Sequence, residues 1–393
     1  MISFQLGLND SNMVNLCKLM YKLYRGANRP SIIEKDAFQY FPVVLLQTLS
    51  LENEKREIGP EALTYLVSCL KLTSAGEKEA KYFVKCGAVE VVTAKILKLL
   101  SSIDLDNETA PKSSQVTVPT IILQLLGVLR NISETPDSMA LFKSSNTFAA
   151  LLDIMICFNG NPDIILMCSR ILSKSSLDPK CCFDILNVFT PEEGELCDSS
   201  VLLILGNLIV QYHENKDITV RLAFAVGNMI TDCPESLPQL VLPNSTGELA
   251  INLFVKVFYL FVAKLADKVD GDNADAVMKM ARLLANAGAI EEVGLFLAAS
   301  SEFNDAIIRC LSLFDSKSPA NSNLSNIFSA CLAAINNTGY FALENVESFA
   351  DMNESIWDRR LEFVDGLYIV FNTVFINIPL FFYLISIVTF SNA

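Results

Sequence analysis

The chain is predicted to be all-α, a right-handed superhelical solenoid of three-helix repeats, and three observations carry that expectation. Residues 217–231 (DITVRLAFAVGNMIT) set Val220, Ala223, Phe224, Gly227, Met229 and Ile230 at helical spacing, with Asn228 near the end. Its small residues suit a place where a neighbouring helix approaches closely. The same cadence then recurs at Leu125–Ser133 (LLGVLRNIS), Arg170–Lys174 (RILSK), Arg282–Asn286 (RLLAN) and Ala333–Asn337 (AAINN), with a fainter copy at Cys69–Leu72. Superposing the copies puts Leu72, Asn131, Lys174, Asn228, Asn286 and Asn337 at one repeat position, roughly 40 to 60 residues apart, as in stacked helical repeats. Finally, a hydrophobic content of 51% with no change of composition along 393 residues fits repeats that bury apolar faces against neighbours on both sides.

The elements follow in order. Residues 11–26 form an amphipathic helix capped by Asp10 or Ser11 and stopped by Gly26, and residues 1–29 are an amino-terminal cap or the remainder of an earlier repeat. Repeats occupy 30–366. The first has helices over 32–41, 42–51 and 60–73, the last opening on Pro60, which suits a first helical turn. In the second, a short helix ends at Cys86, Gly87 permits a sharp bend, and long helices follow over 89–100 and 118–133. Residues 101–117 between those two are polar and acidic, and are expected to be a mobile loop. The third holds helices near 138–144, 147–158 and 163–176. The fourth holds 179–189, a loop at 191–194, a middle helix at 199–212 (VLLILGN within it) and the stretch at 217–231. A fifth covers 234–286 with an acidic loop at 267–275, a sixth covers 289–337 with a Ser/Asn-rich loop at 315–323, and a seventh begins near Phe341.

Charge and motifs exclude several functions. A net charge of −14 opposes nonspecific nucleic-acid binding, whose affinity comes from neutralising phosphates. The 11 cysteines lie along apolar helices with no Cys-x-x-Cys, and read as reduced core thiols of a cytoplasmic protein. The amino terminus lacks a basic region followed by an apolar run, so no signal peptide is expected. The single histidine, His213, sits in a polar turn beside Glu214 without a Ser or Cys nucleophile motif, so no catalytic residue and no enzyme activity is expected. No dinucleotide fingerprint, phosphate loop or His-Glu-x-x-His appears, and Asp270–Asp275 lacks the ordered ligand spacing of a calcium loop. Neither cofactor nor metal is expected.

The recurring phrases make the chain resemble the armadillo-repeat superfamily. VRLAFAVGN, MKMARLLANAGAI and AAINN most resemble the ciliary and flagellar family of armadillo repeat-containing protein two, over about residues 60 to 370. That resemblance implies a non-enzymatic scaffold or adaptor whose inner helices line a concave groove, with a role in assembling the axoneme or carrying its components. Residues three, four and seven before the repeat Asn share its helix face. On that face stand Arg221, Phe224 and Asn228; Lys279, Arg282 and Asn286; Arg170 with Lys174; and Asn337, while Arg130 adjoins Asn131. In armadillo proteins such an Asn hydrogen-bonds the main chain of an extended peptide, and an amide can serve a peptide N–H and C=O together. Importin-type grooves carry Trp four residues earlier; here that position holds Gly127, Arg170, Phe224, Arg282 and Ala333, and the only tryptophan, Trp357, is elsewhere. The cations suit an extended acidic partner, as in the catenin groove. The alternative is a solvated face whose Asn residues cap helix ends.

After Asp365 no charge appears, and residues 367–390 are long enough to span a bilayer. Three readings of the segment 367–393 stand side by side. It is a tail anchor, giving a membrane-tethered adaptor; or a buried helix of the seventh repeat; or an unrelated end on a truncated chain. Asn372, Asn377, Pro379 and the missing basic flank weigh against the anchor.

Overall fold

The computed structural model describes residues 10–25, 41–50, 58–102, 112–135, 137–189, 200–267, 271–313 and 322–344, and all regular structure among them is helical. The helix expected over 32–41, the loop at 191–194, Trp357 and the segment 367–393 lie outside the described residues. The chain divides into two compact units, Met1–Val188 and Phe189–Ala393.

In the first unit, α1 (Asp10–Arg25), α2 (Phe41–Ser50) and α3 (Pro60–Thr73) precede two complete triplets. These are α4 (Glu77–Lys85), α5 (Ala88–Ser101) and α6 (Lys112–Ile132), then α7 (Ser138–Ser144), α8 (Thr147–Cys157) and α9 (Pro162–Ser175), with α10 (Pro179–Leu186) after them. The inner helices α1, α3, α6 and α9 pack each on the next, and α2, α5 and α8 form a second stacked layer. Between the layers lie Leu66, Leu70, Ile96, Ile122, Leu125 and Leu126, all fully buried. Burying an aliphatic side chain of this size contributes about 1.5–3 kcal/mol, so the interlayer seam holds the unit together.

Local chemistry sets the boundaries of these helices. Asn161 accepts from the N–H groups of Asp163 and Ile164 ahead of Pro162, and Asp178 accepts from Lys180 ahead of Pro179. A side-chain acceptor followed by Pro satisfies one orphan donor and removes another. The corner between the first and second helix of a triplet is left-handed in both repeats: Gly87 has φ 79° and Asn146 has φ 55°. Across that corner the hydroxyls of Thr93 (α5) and Thr147 (α8) meet at 2.9 Å in a buried contact between successive second helices.

The bend expected at Gly87 is therefore present, and its cause is backbone strain rather than crowding, since a Cβ there would meet nothing closer than Glu90 Oε2 at 3.7 Å. Gly87→Val forces a β-branched residue into the left-handed region and is expected to cost about 1–2 kcal/mol. Gly87→Asn should cost much less, because Asn already occupies the matching corner at Asn146. Equal denaturation midpoints for the two variants would refute this account.

The second unit holds α11 (Val201–Gln211), α12 (Lys216–Asp232), a 3-10 helix (Pro234–Leu240), α13 (Ala250–Asp267), α14 (Gly271–Ala287), α15 (Glu291–Ala299), α16 (Ser301–Ser312) and α17 (Ser322–Glu344). The inner helices α12, α14 and α17 pack in sequence, as do α11, α13 and α16 behind them. Phe254, Phe258, Phe261 and Phe303 fill the layer between, each fully buried. Ser200, Asn215 and Ser300 cap α11, α12 and α16 by accepting from Leu203, Ile218 and Phe303.

Several expectations are corrected. The acidic stretch from Gly271 to Asp275 is the first turn of α14, and Asn273 is buried there. Asp272 in that turn meets the positive end of the helix dipole, so an acidic stretch that reads as a loop starts a helix. Similarly α6 begins at Lys112, with Pro119 inside it, so residues 112–117 are helix and only 103–111 of the expected loop fall outside the described residues. The sixth inner helix does not stop at Asn337 for a new repeat near Phe341; α17 runs on to Glu344. The close approach expected at Gly227 is absent, since a Cβ there would meet nothing within 4 Å. On α12 the buried residues include Leu222, Ala225 and Val226, while Val220, Phe224 and Gly227 are half-exposed. The helix is apolar over much of its circumference, and its rotation is fixed by α14, α11 and the 3-10 helix packed against it.

Candidate functional site

The candidate residues lie on the inner helices of both units, exposed at Arg130, Lys174, Arg282 and Asn286 and half-buried at the others. In the first unit Asn131, half-buried on α6, donates through Nδ2 to the Lys71 carbonyl at 3.0 Å and to Ser74 Oγ at 3.0 Å. Lys71 lies in the last turn of α3, where carbonyls lack backbone donors; the Ser74 hydroxyl also donates to its carbonyl, at 3.1 Å, so Asn131 joins a side-chain cap on the end of the preceding inner helix. The Lys71 stem crosses Gly127 so closely that a Cβ at Gly127 would fall 2.7 Å from Lys71 Cδ. Gly127 stands where importin-type grooves place Trp, and a lysine stem fills that space. Arg130 and Lys174 are exposed and Arg170 is half-buried.

In the second unit Asn337 repeats the Asn131 arrangement. Its Nδ2 donates to the Ala285 carbonyl at 2.8 Å, in the last turn of α14, and its Oδ1 accepts from Asn336. Asn286 donates to Thr231 Oγ1 at 2.7 Å, and that hydroxyl donates in turn to the Gly227 carbonyl at 2.8 Å. The repeat asparagines thus tie one inner helix to the one before it. Sequence reading did not anticipate this, because a partner about fifty residues distant leaves no local signal. The tie commits the donor half of the amide, and no described residue donates to Oδ1 of Asn131 or Asn286. Asn228 is half-buried and engaged within the protein.

The cations fall into two groups. Arg221 is half-buried and makes only a long contact with Asp217 (3.8 Å, one turn away), and its Nε is buried without an acceptor. Lys279 places Nζ 4.9 Å from the centroid of the Phe224 ring, joining α14 to α12 by a cation–π contact. Arg130, Arg170, Lys174, Lys279 and Arg282 pair with no carboxylate among the described residues. Three lysines elsewhere do pair with acids, Lys143 with Asp184, Lys81 with Glu77 at 2.7 Å and Lys264 with Glu214 at 2.7 Å, while others on the surface do not among the described residues. Glu214 also lies 3.2 Å from His213 Nε2, and His213 Nδ1 is 2.8 Å from the Val210 carbonyl, which places the histidine in a turn network.

The thiols are chemically quiet. All described cysteines are free, and burial pushes Cys17 and Cys181 up to about 11 and Cys69 up to about 12, so their thiols stay protonated at neutral pH. Among the described residues no group of His, Cys, Asp and Glu is placed to hold a metal, and no single helix is long and apolar enough to cross a membrane.

Triplets of a short helix, a second helix and a long inner helix, with the inner helices stacked within each unit and four of them bearing the repeat Asn, have the architecture of an armadillo-type α-solenoid. No family model matches the chain. It is similar to armadillo repeat-containing protein 2 of Bos taurus, at 23% identity over 356 residues, covering 88% of this chain. The proteins of that name from Homo sapiens (23% over 357 residues) and Mus musculus (21% over 349 residues) align over nearly the same span. The chain spans 38% of the length of these curated relatives. Among solved structures, a chain from work on a conserved phosphorylation switch controlling the interaction between cadherin and beta-catenin aligns with a TM-score of 0.48. It is 10% identical, and the alignment covers 94% of this chain and 76% of that one.

Proposed function

We propose that this chain is a protein-binding scaffold without chemistry of its own, which holds an extended acidic partner segment against its inner helices. The observation that supports it best is the set of cations that pair with no carboxylate among the described residues, Arg130, Arg170, Lys174, Lys279 and Arg282, on the inner helices of a chain whose net charge is −14. Minority-sign charge left unpaired on one class of helix serves an external anion better than it serves solubility. The repeat asparagines contribute indirectly: their ties hold successive inner helices at fixed spacing, and each tethered amide of Asn131 and Asn286 keeps an oxygen for a peptide N–H. The resemblance to a ciliary and flagellar family extends the reading to assembly of the axoneme or transport of its components, in the cytoplasm and the cilium or flagellum.

Arg170 and Arg282 hold the same place in their repeats and neither forms an ion pair among the described residues, so they make the sharpest test. The double variant Arg170→Glu/Arg282→Glu should keep wild-type helicity and melting. In a pull-down from ciliated cells it should retain bound proteins at least about tenfold less well, taking roughly 1 kcal/mol or more per charge-assisted contact. Retention at the wild-type level by a normally folded variant would refute the reading.

A further inference from the structure

A separate cationic cleft lies between α1 and α3, at residues the sequence reading did not single out. Lys18, Tyr21, Lys22 and Arg25 of α1 and Tyr65 of α3 line a depression of about 320 Å³. The two tyrosine rings form its floor, with centroids 5.9 Å apart and planes tilted by 55°. Lys18 Nζ stands 5.7 Å from the Tyr65 centroid and the Arg25 guanidinium 6.0 Å from that of Tyr21. Lys18, Lys22 and Arg25 are exposed, and no described carboxylate pairs with any of them.

The place of the cleft in the repeat links it to the rest of the inner-helix face. Tyr65 lies seven residues before Leu72, the repeat position of α3, as Arg221 does before Asn228 and Lys279 before Asn286. Lys18 over Tyr65 also repeats the device of Lys279 over Phe224, a lysine on one inner helix set against an aromatic ring of the adjacent one. A lysine held by a ring keeps its charge fixed in position without being neutralised by a carboxylate.

We propose that this cleft is a docking subsite for an extended peptide segment with Asp or Glu at alternate positions. The spacing fits such a ligand. Lys18 and Lys22 are one turn apart, a rise of about 6 Å, and alternate side chains of an extended chain recur about every 6.6 Å on the same side. Arg25 meets a third acid, and the tyrosine rings carry the backbone and the side chains between. Three cations on a chain of net charge −14 are too few for a nucleic acid, whose binding scales with the number of phosphates neutralised. The inference rests on the reading of the inner helices as an acidic-partner surface and names one subsite within it.

The test uses the full chain and a fluorescein-labelled peptide of about eight residues alternating Glu and Thr, followed by anisotropy. Binding that weakens with salt is expected, with affinity reduced about tenfold or more by Lys18→Glu/Lys22→Glu and several-fold by the milder Lys22→Gln, at unchanged helicity. No binding to the wild type, or unchanged binding to both variants, overturns the proposal. Competition by oligouridylate or by phosphatidylserine vesicles as strong as that by unlabelled peptide overturns the peptide assignment. The two readings fail separately. Peptide binding lost only in Arg170→Glu/Arg282→Glu sinks the cleft and leaves the scaffold reading standing. Peptide binding lost only in the cleft variant, with cellular partners retained by Arg170→Glu/Arg282→Glu, does the reverse.

Discussion

Phe142→Ala is expected to destabilise the first unit by about 3–5 kcal/mol, the range for removing a fully buried phenyl ring. Phe142 is fully buried and packs edge-on against Phe148, with ring centroids 5.9 Å apart at 71°. The position is sensitive because α7 has seven residues and its buried side chains are Ser138 and Phe142 alone. A helix that short has no stability of its own, so its ring anchors it to α8 and α5. Removing the ring therefore opens a cavity and also frees a helix. A fall in melting temperature of roughly 6–20 °C follows from the usual scaling for units of this size. Hydrogen exchange should show protection lost first in α7 and the start of α8, while α14 and α17 keep theirs, since coupling in repeat proteins acts between neighbours. A melting temperature within about 2 °C of wild type would show that α7 is not held this way.

A second large effect is expected from one substitution made at two glycines, with opposite signs. Gly294 on α15 faces α17, and a Cβ built there would lie 2.8 Å from Phe341 Cδ2 and 2.9 Å from the Gly288 carbonyl oxygen. The ring could yield, but the backbone oxygen cannot without moving the turn that carries it. Gly294→Ala should therefore destabilise the second unit by about 1–3 kcal/mol, and Gly294→Val by more, despite the better helix propensity of both. Gly227 is also helical, with open space where a Cβ would go, so Gly227→Ala should stabilise by up to about 1 kcal/mol. Denaturant midpoints of the two alanine variants must then move in opposite directions. Movement in the same direction would mean that helix propensity alone governs both sites.

These two glycines mark where sequence reading stopped. Gly227 belongs to the phrase whose recurrence marks the repeat, and its small size suggests close approach. The structure puts the close approaches at Gly294, at Gly127 beneath the Lys71 stem, and at Gly206, where a Cβ would come 3.0 Å from Leu253 Cδ1. All four are small residues in apolar helices, and nothing in the sequence around them says which one meets a neighbour. The repeat asparagines show the same limit. Their spacing was legible, but an Nδ2 bonded to a carbonyl in the preceding repeat depends on a contact 60 residues away for Asn131 and 52 for Asn337. The cleft of Lys18, Lys22, Arg25, Tyr21 and Tyr65 escaped notice because neither α1 nor α3 alone brings rings and charges together.

The sequence by itself determined the all-α repeat architecture and most helix boundaries. Period, caps and breakers act over a few residues: Pro60 opens α3, Asn161 and Pro162 open α9, and Gly87 turns the corner before α5. Those are local energies of about 1 kcal/mol each, expressed wherever the residues occur. Only the tertiary structure decided which sector of each inner helix is buried, where two helices come closest, and which polar groups are spent inside the protein. An apolar helix can satisfy its own backbone at any rotation about its axis. The choice among rotations is made by neighbours that sequence places some fifty residues away.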